Sequence, residues 1–139
     1  MLVKRAMSKN VVSVSVPGNR EKVLDLMRKE DKAVLPVVKG DTKQLVGLIT
    51  RSDLILNPDE EQIAILMSTD LVTASPDDDV KDVAKKMIDN NVRRVPVVDD
   101  NGDLVGIITS FDLVSNALIK LESDDPVENF MITTVPVSY

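Results

Sequence analysis

The chain has 139 residues, 43% hydrophobic and 29% charged, which fits one compact globular unit and is too apolar for disorder. Having neither cysteine nor histidine, it offers no disulfide, no thiolate metal site, no cysteine nucleophile and no histidine-based triad. A net charge of −6 argues against a nucleic-acid surface, and no apolar run reaches the roughly 18 to 20 residues of a membrane helix or resembles a signal segment, so a cytoplasmic protein with no nucleic-acid or membrane partner is expected.

Residues 2–7 read LVKRAM, a short amphipathic start. Val11 to Val16 (VVSVSV) alternates apolar and small polar residues as a strand does, and Pro17-Gly18-Asn19 breaks it. From Arg20 to Asp31, Val23, Leu24, Leu26 and Met27 form one helical stripe with charges opposite. Ala33 to Val38 (AVLPVV) and Leu45 to Thr50 (LVGLIT) flank a Lys39-Gly40-Asp41 turn and read as a hairpin of buried strands. A helix begins at Arg51 and is interrupted at Asn57-Pro58, and another helical turn follows between Asp59 and Met67.

The pattern then repeats. Met67 follows Met7, Met87 follows Met27 and Pro96 follows Pro36 at an offset of 60, and Gly106, Thr109 and Asp112 follow Gly47, Thr50 and Asp53 at an offset of 59. In the second copy Leu71 to Ser75 is the expected strand, and Pro76 with three aspartates opens a helix whose buried stripe is Val80, Val83, Ala84 and Met87. Val92 to Val98 and Leu104 to Thr109 flank Asn101-Gly102, a hairpin signal, and Ser110 to Leu121 is the closing helix. The fold expected is α+β: two pseudo-twofold related strand-helix-strand-strand-helix repeats, over residues 1–58 and 59–122, packed sheet to sheet because neither is large enough alone. Residues 123–139, where Met131 echoes Met7 and Met67, are either a final strand or the start of a third repeat.

The candidate chemistry sits at the end of each LVG strand. Thr50-x-x-Asp53 and Thr109-x-x-Asp112 match a capping box, in which Thr and an acid three residues on satisfy a helix N-terminus. Their recurrence after the same strand favours a second role, with the carboxylate accepting ribose hydroxyls and the Thr hydroxyl donating to a phosphate oxygen. Arg93 and Arg94 precede Val95-Pro96, and alternation lets at most one of them serve a given cleft. The first copy has Ala33 and Val34 there, so the two clefts are unequal and the second is where phosphate is expected. Pro36 and Pro96 imply an edge strand or bulge, with an unpaired backbone group nearby that could read an adenine edge between walls of Leu35, Val37, Val95 and Val97. Asp99 to Asp103 (DDNGD) lacks the glycine and bidentate Glu positions of a calcium loop and reads as a turn. The five glycines form neither GxGxxG nor a P-loop.

The doubled "h-P-V-V-D", turn, "L-V-G-h-I-T-x-x-D-L" pattern resembles a tandem pair of CBS domains, from Met1 to about Leu121. The resemblance implies a non-catalytic regulatory module with two clefts between the repeats, commonly a homodimer, that binds an adenosyl ligand such as AMP, ADP, ATP or S-adenosylmethionine and requires no other cofactor or metal. Carried onto this chain, it implies that Asp53 and Asp112 take the ribose and that Thr50 and Thr109 lie at its phosphate end. Ser13 and Thr73 would edge the adenine, and Arg93 or Arg94 would meet phosphates. A ligand-free interaction module regulating an unidentified protein is the alternative.

Overall fold

The structure is a computed structural model; it describes residues 1–124, with side chains as far as residue 117. The expected C-terminal strand or third repeat, Met131 included, lies outside the described residues. In chain order the elements are α1 (Val3–Ala6), β1 (Val14–Val16), α2 (Arg20–Lys29), β2 (Val34–Lys39), β3 (Leu45–Thr50), α3 (Arg51–Ile55), α4 (Ile63–Leu66), α5 (Val80–Asn90), β4 (Arg94–Val98), β5 (Leu104–Thr109) and α6 (Ser110–Asp124).

The first sheet runs β1-β2-β3 and the second β4-β5. Both hairpins use one register: Pro36 opposes Leu48 and Pro96 opposes Ile107, and each ladder shifts directly after, at Val37/Val38 and at Val97/Val98. The two hairpin tips meet, where Leu45 N–H donates to the Gly102 carbonyl (3.1 Å) and Leu104 N–H to that of Lys43 (2.8 Å). Gly40 and Gly102 sit at φ +53° and +81°, a turn conformation that glycine adopts without steric cost.

Each half has its own core, and each core takes its last member from the other half. Val23 and Met27 of α2 pack with Leu35, Val37, Ile49 and Leu54, and the cluster is completed by Ile63 of α4. Val83 and Met87 of α5 pack with Ala74, Val95, Val97 and Ile108, and the cluster is completed by Val3 of α1. Both visitors are fully buried. A single helical turn has no stability of its own, so α1 and α4 depend on this anchorage, worth about 1.5–3 kcal/mol per buried side chain. Backbone bonds fix the exchange: Val3 N–H to the Asp78 carbonyl (2.9 Å) and Val80 N–H to that of Met1 (2.9 Å), with Ile63 N–H to that of Gly18 (3.2 Å) in the other half.

The segment leaving each visitor crosses the far sheet. Ser8 pairs with Ile107 and Ser68 with Leu48. At these crossings a Cβ on Gly106 would stand 2.6 Å from Met7 Sδ, and one on Gly47 would stand 2.6 Å from Met67 Sδ. The repeated Met and the repeated Gly are therefore two sides of one contact.

Three sequence expectations need correction. Leu71 to Ser75 is not a strand: only Ala74 pairs, in a single parallel bridge to Val97. Ser75 N–H is taken by the Asp78 carboxylate (2.9 Å), and Pro76 has no N–H with which to extend a ladder. Val11 to Val16 is ordered as a strand only over its last three residues. Of the edge strand or bulge expected at Pro36, the edge is overturned, since its strand is the centre of its sheet, while the ladder irregularity lies close by at Val37/Val38. Proline is tolerated because pairing with β1 begins one residue later, at Val37 opposite Val14, so no ladder donor is lost.

Candidate functional site

Both Thr-x-x-Asp pairs form reciprocal caps. Thr109 N–H donates to Asp112 Oδ2 (2.9 Å), and Asp112 N–H to Thr109 Oγ1 (3.1 Å). In the first half the matching bonds are 2.9 Å to Asp53 Oδ2 and 3.0 Å to Thr50 Oγ1. An asparagine on the helix closes each motif: Asn57 Nδ2 donates to the Asp53 carbonyl (2.8 Å) and Asn116 Nδ2 to that of Asp112 (2.7 Å). Capping uses one oxygen of each carboxylate. Among the described residues the other oxygen accepts no hydrogen bond and the Thr hydroxyl donates none, so the cap fixes the rotamers that a ligand would meet.

A cavity of about 230 Å³ opens beside Thr109 and Asp112, and it is built by both halves. From the second half come Arg94, Ile107, Thr109 and Asp112. From the first come the crossing segment (Ser8, Asn10, Val11, Val12) and the entry to β2 (Lys32, Val34, Leu35, Pro36). Arg94 is the direct cross-strand partner of Thr109, which puts both side chains on one face of the hairpin. Lys32 is brought there by the end of α2: Asp31 turns the chain with φ +53°, and Lys32 N–H bonds back to the Met27 carbonyl (2.8 Å), a Schellman-type close. Arg51 Nη2 then holds the Lys32 carbonyl (3.1 Å).

Of the residues singled out from sequence, the cavity brings together Thr109, Asp112, Arg94 and Pro36. Arg93 is exposed and does not line it; the Arg93 carbonyl accepts Ser110 N–H (2.9 Å). Ser13 lines a separate cavity of about 510 Å³ by the hairpin tips, with Lys9, Lys43, Asp99 and Asp103. Thr73 is half-buried and its carbonyl accepts Lys86 Nζ (2.9 Å). Thr50 and Asp53 form the same cap in the first half, and Pro96 occupies the place of Pro36. The Pro96 carbonyl already accepts Ala74 N–H (3.0 Å). The apolar walls also differ from expectation: Val37, Val95 and Val97 are fully buried core residues, and only Leu35 of the four reaches the cavity.

Sequence reasoning missed Ser8, Asn10 and Lys32. It sought charge at the aligned positions of one copy, whereas the cleft is assembled across copies. At the offset of 60, Asn10, Lys32 and Arg94 correspond to Asp70, Val92 and Val34, so the two Thr-x-x-Asp motifs are set in electrostatically different surroundings.

A family model for the CBS domain matches residues 3–59 and 61–119. The chain belongs to the CBS domain family. As a CBS pair it aligns with the inosine-5'-monophosphate dehydrogenase of Nitrosopumilus maritimus at 35% identity over 120 residues, covering 82% of this chain and 24% of the dehydrogenase. It superimposes on the CBS domain pair of protein MJ0100 in complex with 5'-methylthioadenosine and S-adenosyl-L-methionine with a TM-score of 0.74 at 33% identity, covering 84% and 99% of the two chains. The cytosolic domain of the Mg2+ channel MgtE in complex with ATP gives a TM-score of 0.71 at 31% identity, covering 78% of this chain and 46% of that one. The CBS pair spans 51% of the length of a relative from Methanocaldococcus jannaschii and 43% of one from Methanopyrus kandleri. Among the described residues, no helix is long and apolar enough to cross a membrane.

Proposed function

We propose that this CBS pair is a non-catalytic regulatory sensor that binds an adenosine-containing ligand, AMP, ADP, ATP or S-adenosylmethionine, in the cleft at Thr109 and Asp112. The observation that carries the reading is that this cleft is made by both halves and presents a carboxylate with one oxygen uncommitted among the described residues, beside a threonine hydroxyl. A ribose diol suits the carboxylate, in charge-assisted hydrogen bonds of about 1.5–3 kcal/mol each. The adenosyl ligands in the similar CBS pair and the ATP in the similar channel domain support it. Because the cleft wall includes both Lys32 of one half and Arg94 of the other, ligand binding would tie the halves together, and that coupling is what a regulated partner would sense.

The test is thermal unfolding with each compound. A ligand that binds the folded state at a hundredfold excess over Kd stabilises it by about 2.7 kcal/mol. Asp112→Ala should remove that ligand-induced shift, and Asp53→Ala should retain it. A shift unchanged in Asp112→Ala overturns the assignment.

A second reading, an interaction module, draws on the exposed apolar side chains. Ile55 and Leu56 of the first half, Ile65 on the α4 turn packed against it, and Phe111 and Val114 of the second half are all more than half exposed. We propose pairing with a second copy through these helices, readable by sedimentation of the wild type against Leu56→Asp and Phe111→Asp.

A further inference from the structure

We propose that the cavity at the hairpin tips is a second ligand site, separate from the cleft at Thr109 and Asp112, and that it takes a zwitterion of the α-amino-acid kind with an apolar side chain. The proposal does not depend on what the cleft binds.

The cavity holds about 510 Å³ and lies where the tips are joined by the Leu104 N–H to Lys43 carbonyl bond (2.8 Å). Its charges are sorted by half. The first half contributes Lys9 and Lys43, and the second contributes Asp99 and Asp103. Opposite charges around one hollow would gain by closing on each other, yet they do not: among the described residues the ion pairs are Lys4 with Asp77 and Arg28 with Asp25. Asp99 is also held in place. Its Oδ1 accepts Asn101 N–H (2.9 Å) and Asp103 N–H (3.0 Å), which fixes the carboxylate and leaves Oδ2 without a partner among the described residues.

This sorting is not inherited from the repeat. At the offsets that relate the copies, Lys9, Lys43, Asp99 and Asp103 correspond to Thr69, Gly102, Lys39 and Gln44. The equivalent positions therefore hold one cation and no acid, and the arrangement belongs to this side of the molecule alone.

Charge balance then selects the ligand class. The four charges sum to zero, so an anion would meet the aspartates and a metal cation would meet the lysines. A molecule carrying both signs satisfies both halves at once, with its carboxylate toward Lys9 and Lys43 and its ammonium toward Asp99 and Asp103. Val11, Val38 and Leu104 line the same cavity and offer apolar surface to a side chain. Val11 also borders the cleft, but none of the four charged residues does.

The test is an amide NMR titration of the full chain with L-leucine, isocaproate and isoamylamine, which share an apolar group and carry both charges, the carboxylate alone and the ammonium alone. Leucine should give saturable shifts at residues 9–13, 42–44 and 99–105, and should bind at least about fivefold tighter than either analogue. Lys43→Gln and Asp103→Asn should each weaken leucine about fivefold. Asp100→Asn, which neutralises an exposed acid of the same turn outside the cavity, should leave it unchanged. Unmoved amide signals away from the tips show that the variants fold. The proposal is overturned if leucine gives no saturable shift at the tips, if either analogue binds as well, or if either Lys43→Gln or Asp103→Asn binds leucine like the wild type.

Discussion

Gly106 lies under the first crossing segment, where an added methyl group would stand 2.6 Å from Met7 Sδ and 2.9 Å from the Ser8 carbonyl oxygen. Gly106→Ala should destabilise the protein by about 1–3 kcal/mol in urea unfolding. Adding Met7→Ala should restore only part of it, because the sulfur can retreat and the Ser8 backbone cannot. Arg20 is a second residue with a definite task. It is 6% exposed, and its guanidinium donates to the carbonyls of Leu54 (2.8 Å), Asn57 (2.7 Å) and Glu60 (3.2 Å), closing α3 and shaping the loop into α4. Arg20→Met should lower stability by about 2–4 kcal/mol, and Arg20→Lys should recover little, since an ammonium lacks the planar fork. Asp79 caps α5 by accepting Lys81 N–H (2.9 Å), and that bond holds its carboxyl below the ordinary carboxylate range. The folded state thus favours the ionised form, so the contribution is complete near neutral pH and is lost as the pH falls through the lowered value. Melting temperature measured from pH 6 downward should fall less steeply in Asp79→Asn than in the wild type.

At the scale of elements, the exchange of α1 and α4 decides which parts unfold together. Val3→Ala should destabilise by about 2 kcal/mol, and hydrogen exchange should show lost protection in α5, β4 and β5, where Val3 packs, with α2 unaffected. Ile63→Val should do the reverse. Much of this architecture was legible in the chain. The apolar stripes of α2 and α5 carry enough turns to define a face, and Asn101-Gly102 and Lys39-Gly40-Asp41 sit where the hairpins turn. The exchange was not legible, because a four-residue helix such as Val3–Ala6 has no period to read and a repeat does not say which copy a segment packs against. The same blindness hid Lys32. Thr109 and Asp112 could be picked out from doubling alone, but a cleft wall drawn from the opposite half appears only when the halves are in place. The short pairing at Ala74 was lost for a different reason: Leu71 to Ser75 has strand composition, and the Asp78 side chain overrides it by taking the Ser75 N–H.

At the scale of the molecule, Val3 and Ile63 do the same job in opposite cores, at the offset of 60 that relates the repeats. A fragment holding residues 1–60 keeps α1 and loses α4, so its own core has a vacancy that only α1 of another fragment can fill. Expressed alone, it should form a symmetric dimer by mutual donation of α1, seen as one set of NMR signals at twice the fragment mass; a folded monomer would contradict the reciprocity of the two cores. The intact chain then corresponds to such a dimer with its copies fused end to end through the loop between α3 and α4. Fusion is what lets the copies diverge. In a dimer of identical fragments both Thr-x-x-Asp motifs would carry the same surroundings, and a lysine gained at position 32 would appear beside each; on a single chain it appears beside one, so the two motifs can diverge independently.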